Sequence, residues 1–218
     1  MVAASWRCCS IVMMLFALAG CGSDSQPIEP VENFPAEQEE NEPTEPVEKD
    51  AIAAIDTLEG WSIIREGHVT RVHLAQTQVK DAELVHLKGL TKLVWLDISE
   101  TQISDTGLEH LTGLTKLKGL SLRHTKVTDD GLKHLTGLTN LRFLDLSDNN
   151  VTDSALEHVR ELDNLELLIL TKTDVGDAGL LHLGELTELT ELNLSNTNVT
   201  DEGVKALKAA LPDCEITR

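Results

Sequence analysis

The chain has 218 residues, a formal net charge of −19 and few aromatic side chains, namely three Trp, three Phe and no Tyr. This length accommodates one or two ordinary domains. Nucleic acids and anionic membrane surfaces attract clustered Lys and Arg, so a chain this acidic is not expected to bind either by charge. We therefore expect no nucleic acid partner.

Residues 1–20 have the features of an export signal: Arg7 supplies a positive charge, and residues 11–19 form an apolar stretch. That stretch is shorter than the roughly 20 apolar residues that span a bilayer. It leads into Leu18-Ala19-Gly20-Cys21, which resembles the lipobox of bacterial lipoproteins. The resemblance implies cleavage before Cys21 and acylation of its thiol and new amino terminus. The alternative is an ordinary secretory signal followed by an incidental cysteine.

Several acyl chains on one residue hold a protein stably at a membrane. We therefore expect Cys21 to tether the mature chain to the bacterial cell envelope without spanning a bilayer. By resemblance to lipoprotein sorting, Gly22 after the cysteine favours the outer membrane. Cys8 and Cys9 would leave with the signal, so only Cys214 would remain free, and no intramolecular disulfide is expected.

Residues 21–50 follow as a predicted linker that begins at the lipidated cysteine. Positions 22–50 contain five of the six prolines and ten acidic side chains against one Lys. Such a segment lacks the apolar surface needed to offset the entropy of ordering, and like charges extend it. We interpret it as a disordered stalk; the alternative is an acidic ligand for a basic partner.

Residues 51–68 are predicted to form an N-terminal cap of a helix and a strand, and residues 211–218 a C-terminal cap. Between them, residues 69–210 read as six units of 24 residues with the shared pattern L-x-x-L-x-L-x-x-T-x-V-x-D-x-G-L-x-H-L-x-x-L. This pattern resembles the leucine-rich repeat family. The resemblance implies an α/β fold, a curved right-handed superhelix with parallel strands on its concave face and short helices on its convex face. The units begin at Val69, Leu93, Leu117, Leu141, Leu165 and Leu189.

Two polar positions recur in every unit. The Thr or Asn that follows each strand is expected to bond loop backbone groups that an irregular turn would leave unpaired. The Asp that begins each helical segment, or the Ser or Thr before it, is expected to cap that helix. A single carboxylate per unit does not supply the oxygen cage that calcium requires.

Five histidines recur at the repeat spacing in the helical segments. Parallel units tend to point such side chains the same way instead of converging on one metal ion, which favours a structural or solvated role. A zinc site and a pH sensor remain the alternatives. These residues are His86, His110, His134, His158 and His182.

The strand positions that alternate with the core leucines should lie on the concave face. They differ from unit to unit, and they place aromatic and aliphatic side chains beside charged ones, which is typical of a partner-binding surface. Trp95 and Phe143 are expected to flank a hollow at Gly119. The predicted partner-binding residues are Arg71, His73, Trp95, Asp97, Ser121, Arg123, Phe143, Asp145, Leu167, Ile169, Glu191 and Asn193.

No catalytic motif appears in the sequence: there is no G-x-S-x-G, no H-E-x-x-H and no phosphate-binding glycine loop. We therefore predict a binding protein and not an enzyme, with no cofactor, no metal and no small-molecule substrate. The expected function is recognition of a protein partner at the envelope through the concave face. The alternative is an envelope spacer without a selective ligand.

Overall fold

A computed structural model describes residues 46–218, so the predicted signal, Cys21 and most of the predicted linker lie outside the described residues. The described part contains one eight-stranded sheet whose strands follow chain order. β1 pairs with β2 in an antiparallel hairpin, and each later strand pairs in parallel with the one before it. The strands are β1 Trp61–Arg65, β2 His68–His73, β3 Trp95–Asp97, β4 Gly119–Ser121, β5 Phe143–Asp145, β6 Leu167–Ile169, β7 Glu191–Asn193 and β8 Glu215–Thr217.

Short helices connect these strands. The first repeat has the 3-10 helix Asp81–Leu87, and two later α-helices run directly into the 3-10 segments Glu109–Leu111 and Lys133–Leu135. No helix within residues 46–218 has the length and apolar character needed to cross a membrane. The α-helices are α1 Pro46–Thr57, α2 Asp105–Leu108, α3 Asp129–Leu132, α4 Asp153–Val159, α5 Asp177–Leu180 and α6 Asp201–Ala210.

The leucines of the repeat form one continuous interior between the sheet and the helices. In β3, Leu96 is fully buried between the half-buried Trp95 and Asp97, and the same inward leucine recurs one repeat later at Leu120. Because the backbone alternates its side chains, each of the three-residue strands β3 to β7 contributes one side chain to the core and two to the opposite face of the sheet. The predicted solenoid of parallel strands and short helices is confirmed.

The polar residue after each strand behaves as predicted. The Thr101 hydroxyl donates to the Ile98 carbonyl at 2.7 Å, and Thr77, Thr125, Thr173 and Thr197 make the same bond in their repeats. Asn149 replaces Thr in one repeat and donates to the carbonyls of Leu122 and Leu146. These bonds satisfy buried carbonyl groups at the turn, where no regular ladder is present to pair them.

The residue before each repeated aspartate occupies the helix cap position, which is one of the two predicted alternatives, and the Thr152 and Thr200 side chains accept backbone N–H bonds there. The aspartate itself, the other alternative, is the first residue of each helical segment. Asp105 does not cap its own helix; it accepts hydrogen bonds from the Thr128 backbone N–H and hydroxyl, both at 2.8 Å, in the following repeat. Asp81, Asp129, Asp153 and Asp177 make the equivalent backbone contact. We call this row of five carboxylates the aspartate ladder.

Glycine two positions after the aspartate makes room for this ladder. A Cβ at Gly131 would lie 2.3 Å from the Asp105 carboxylate oxygen, and a Cβ at Gly107 would lie 2.5 Å from that of Asp81. The first repeat has no preceding aspartate, and it carries Glu83 at this position. The D-x-G-L motif therefore records a contact between neighbouring repeats and not one within a repeat.

The N-terminal cap differs from the predicted boundary. α1 begins at Pro46, so residues 46–50, which were assigned to the disordered linker, belong to the helix. Glu48 is only 3% exposed, and its carboxylate lies 3.2 Å from His68 Nδ1 and accepts from the Val69 backbone N–H at 3.3 Å. These contacts attach α1 to the start of β2, which composition alone does not reveal. At the other end, Cys214 is buried beside β8.

Candidate functional site

The outward side chains of β2 to β7 lie together on the face of the sheet opposite the leucines. We call this surface the outer face. In-register pairing aligns them in rows, so Trp95, Gly119, Phe143 and Leu167 follow one another across four strands, and Asp97, Ser121, Asp145 and Ile169 form the next row. Glu191 and Asn193 continue these rows in β7. Arg71 and His73 precede them in β2, and Arg123 lies two residues beyond the end of β4.

The hollow predicted at Gly119 is filled. The Trp95 ring lies across it, since a Cβ at Gly119 would come within 2.2 Å of two of its ring carbons, and the ring stacks on Phe143 with centroids 5.1 Å apart. The Arg71 guanidinium carbon lies 6.0 Å from the Trp95 centroid, at the distance of a cation–π contact. Glycine is needed here because any side chain would displace the indole. Trp95 is thus part of a packed stack and not a free-standing anchor.

A second aromatic contact was not predicted. Trp61 of the cap strand, 43% exposed, stacks on the His73 ring with centroids 4.9 Å apart. His73 Nδ1 in turn lies 3.0 Å from the Asp97 carboxylate. Burial acts to raise the pKa of Asp97, but hydrogen bonds from His73 and Ser99 outweigh it, so the pKa falls below its ordinary value. The sequence predicted a cap strand before the first repeat, but it did not predict the antiparallel register that places Trp61 opposite His73.

Asp145 has the opposite electrostatic setting. It accepts hydrogen bonds from the backbone N–H and the hydroxyl of Ser147, the former at 2.9 Å. No Lys, Arg or His among residues 46–218 forms an ion pair with it; Arg123 pairs instead with Asp148 at 3.5 Å. Burial, with a smaller contribution from the negative charge of Asp97, raises the pKa of Asp145 above its ordinary value, because it outweighs the hydrogen bonds from Ser147 and the positive charge of Arg123, which act to lower it.

Beyond Asp145 the outer face becomes aliphatic. Leu167 and Ile169 are half-buried and lie directly across from Phe143 and Asp145 in the register of β5 and β6. Asn193 accepts from the Thr171 hydroxyl at 3.1 Å and from the Ser195 backbone N–H at 3.0 Å. On the rim, Lys172 also pairs with Asp148, at 3.0 Å. The two basic side chains nearest this region are therefore already engaged by one carboxylate.

The outer face contains histidine, aspartate and serine, but their geometry does not activate a nucleophile. The Ser99 hydroxyl donates to Asp97 at 2.7 Å, so the carboxylate binds both the imidazole and the hydroxyl. A serine nucleophile requires its hydroxyl to bond the imidazole base. The arrangement orients His73 and favours the ionised form of Asp97.

The five histidines that recur at the repeat spacing lie on the helical side of the solenoid. His86 is exposed, and the other four are half-buried. His134 Nε2 lies 3.9 Å from the Glu109 carboxylate, and the His110 Nδ1 is buried without a hydrogen-bond partner. Across residues 46–218, the side chains of His, Cys, Asp and Glu nowhere come together in a group of three that is able to hold a metal ion.

The fold and its repeating contacts define the class of protein: the chain is a leucine-rich repeat solenoid. The leucine-rich repeat family model of two copies matches residues 115–161, and a single-repeat model matches residues 89–111 and 186–208. No curated protein matches the chain.

Among solved structures, the chain is similar to internalin C2 from Listeria monocytogenes, at 23% identity and a TM-score of 0.52, covering 78% of this chain and 81% of that one. A second Listeria monocytogenes internalin, internalin F, shares 22% identity at a TM-score of 0.53, covering 79% of this chain and 57% of that one. A leucine-rich repeat protein from Leptospira interrogans shares 23% identity at a TM-score of 0.54, covering 68% and 37%. At these identities the likeness concerns the fold.

Proposed function

We propose that the chain is a membrane-anchored leucine-rich repeat protein that recognises a protein partner at the bacterial cell envelope through its outer face. The observation that carries the recognition part is the contrast on each strand. The inward leucine is the same in β3 to β7, whereas the two outward positions change from Trp and Asp to Gly and Ser, Phe and Asp, Leu and Ile, and Glu and Asn. A scaffold fixes these positions in space without dictating their chemistry, as recognition requires.

The composition of the outer face also supports protein recognition. Protein interfaces combine aromatic and aliphatic anchors with a polar surround. Trp95, Phe143, Leu167 and Ile169 form such an apolar centre, bordered by Asp97, Asp145 and Arg123. The polar groups here are oriented by neighbours, which lowers the cost of ordering them on binding.

The anchoring part of the proposal rests on the sequence of residues 18–21. Mass analysis of the chain purified from its own bacterium tests it. We expect an acylated Cys21 at the mature amino terminus and recovery in the membrane fraction, and a Cys21→Ala variant should lose both. An unmodified cysteine on a protein found free of membrane would refute the anchor while leaving recognition untouched.

The recognition part is tested by blocking the outer face. Ser121 lies between Asp97 and Asp145, so Ser121→Arg would place a guanidinium between two carboxylates and cover the face without disturbing the core. The matched control is Ser154→Arg, an exposed position on α4 at the helical side. In crosslinked envelope extracts, we expect saturable capture of a partner by the wild type and Ser154→Arg chains and its loss in Ser121→Arg. Equal capture by all three, or none by any, would instead favour a spacer.

A further inference from the structure

We propose that the partner presents a Lys or Arg side chain to Asp145, with its aliphatic stem packed on Phe143, Leu167 and Ile169. This inference deepens the proposed function and rests on it. Its basis is the position of Asp145, which forms no ion pair within residues 46–218 and lies at the edge of an apolar surface, in a chain whose net charge is strongly negative.

The charged side chains of the outer face differ in whether they contact a partner of opposite charge or an aromatic ring. Arg71 lies over Trp95, and His73 is paired with Asp97. Arg123 and Lys172 both pair with Asp148. Among residues 46–218, Asp145 forms no ion pair: its hydrogen bonds come from the neutral Ser147, and the charge of Arg123 acts on it only from beyond ion-pair distance. An added cation would gain this interaction without breaking an existing ion pair.

The position of Asp145 selects a long cationic side chain. Its strand neighbour Phe143 lies on the same face two residues earlier, and the opposite residues in β6 are Leu167 and Ile169. Lys and Arg bury their methylene stems on apolar surface while the charged group remains at its edge. A single Lys or Arg side chain would thus cover the aliphatic surface with its stem and reach the Asp145 carboxylate with its charged group. The burial that raises the pKa of Asp145 makes a partner cation more favourable there than at a fully solvated carboxylate.

An acidic partner is disfavoured by the same face. Asp97 and Asp145 lie in one row, and Glu191 and Glu215 extend the neighbouring row at β7 and β8. Like charges brought together across an interface weaken binding and suppress wrong partners. The outer face therefore has charge complementarity to a basic, partly apolar protein segment.

The experiment selects phage-displayed random linear peptides on the full-length chain, with the Ser121→Arg chain as the counter-selection target. We expect the peptides that depend on the outer face to be enriched in Lys or Arg next to an aliphatic or aromatic residue. For one such peptide, Asp145→Asn should weaken binding about tenfold, as for loss of one partly desolvated charge pair. Glu157→Gln, an exposed carboxylate on α4, is the matched control and should leave the affinity unchanged.

Replacement of the peptide's basic residue by Met, which keeps an unbranched stem, completes a double-mutant cycle. That peptide should bind the wild type and Asp145→Asn chains equally. Peptides that depend on the outer face but are acidic or neutral, or are insensitive to Asp145→Asn, would overturn this inference and leave the proposed function standing. A selection without any peptide that Ser121→Arg excludes, or a dimer that Ser121→Arg dissociates in sedimentation, would count against both.

Discussion

The aspartate ladder and the outer face belong to the same repeats but differ in what they conserve from one repeat to the next. Along the ladder, one carboxylate contacts the cap residue of the next repeat with nearly the same geometry five times, at 2.6 to 2.8 Å from the backbone N–H. On the outer face, no two strands from β3 to β7 carry the same pair of side chains. Repetition therefore marks the contacts that stack the repeats, and its absence marks the surface that is available for recognition.

The largest expected effect separates the core from the outer face at two adjacent residues of β4. Leu120 is fully buried, so Leu120→Ala should lower the free energy of unfolding by about 2–5 kcal/mol through lost burial and a cavity. Ser121→Ala, one residue further and on the outer face, should change it by less than about 0.5 kcal/mol. Denaturant unfolding measures both, and similar losses for the two variants would show that the outer face is part of the stabilising structure.

The next effect concerns the ladder. Asp105→Ala leaves the Thr128 backbone N–H and hydroxyl without their acceptor, so we expect a loss of about 1–3 kcal/mol. Asp130, an exposed aspartate in the first turn of α3, is the matched control, and its replacement by Ala should cost less than about 0.5 kcal/mol. Thermal or denaturant unfolding measures both variants. Equal losses in the free energy of unfolding would show that the aspartate ladder adds no stability beyond that of a solvated carboxylate.

A smaller effect tests the glycine of the motif. Gly131→Ala places a Cβ against the Asp105 carboxylate and should cost about 1 kcal/mol, at the low end for overpacking. The low end is expected because Ala155 occupies the equivalent position in the next repeat, where Asp129 still bonds Thr152 at 2.8 Å. In an Asp105→Ala background the cost of Gly131→Ala should shrink. Strict additivity of the two free-energy changes would show that the glycine is not required by the carboxylate.

The smallest effects come from the two aspartates of the outer face and have opposite signs. The pKa of Asp145 is raised on folding, so its ionised form destabilises the fold, and stability falls as the pH rises through the folded pKa. The pKa of Asp97 is lowered, so its stabilisation is present above the unfolded pKa and is lost as the pH falls through the folded pKa.

At neutral pH, Asp145→Asn should therefore raise the free energy of unfolding and Asp97→Asn should lower it, each by less than about 1 kcal/mol. The electrostatic part of both differences should vanish in acid, below the pKa values of both folded carboxylates. Unfolding curves recorded from neutral to acidic pH measure how the two free-energy differences change with pH. Changes of the same sign at neutral pH would contradict the electrostatic contrast between the two sites.

Much of the architecture follows from the sequence because each 24-residue unit has the same pattern and forms the same strand, turn and short helix. The inward leucines and the bonds of the turn threonines depend on position within one repeat, so a single repeat predicts them. The role of Asp105 could not be predicted this way, because its partner Thr128 lies 23 residues away and belongs to another repeat. The glycine that follows four of the five later aspartates by two residues was the available signal, since glycine there has no obvious role within its own helix.

The outward strand positions share one face of the sheet, as strand alternation predicts, but the contacts among their side chains were not foreseen. Side-chain stacking such as that of Trp95 on Phe143 depends on rotamers, which strand alternation does not determine. The buried Glu48 was missed for a related reason, since a composition rich in Pro and Glu indicated a linker. Instead, the contacts of Glu48 with His68 and Val69, together with the buried Ala51 and Ile55, hold the helix against the repeats. Tertiary contacts of this kind override local composition.

The central claim, that recognition belongs to the outer face and stacking to the repeated contacts, is tested most directly by a photo-activated crosslinking residue placed at position 121 or at position 154. Both sites are surface serines, the first on β4 and the second on α4. In cells of the organism that produces the chain, we expect position 121 to yield one discrete crosslinked protein, and position 154 to yield none of it. The same product from both positions, or a product from position 154 alone, would contradict the claim.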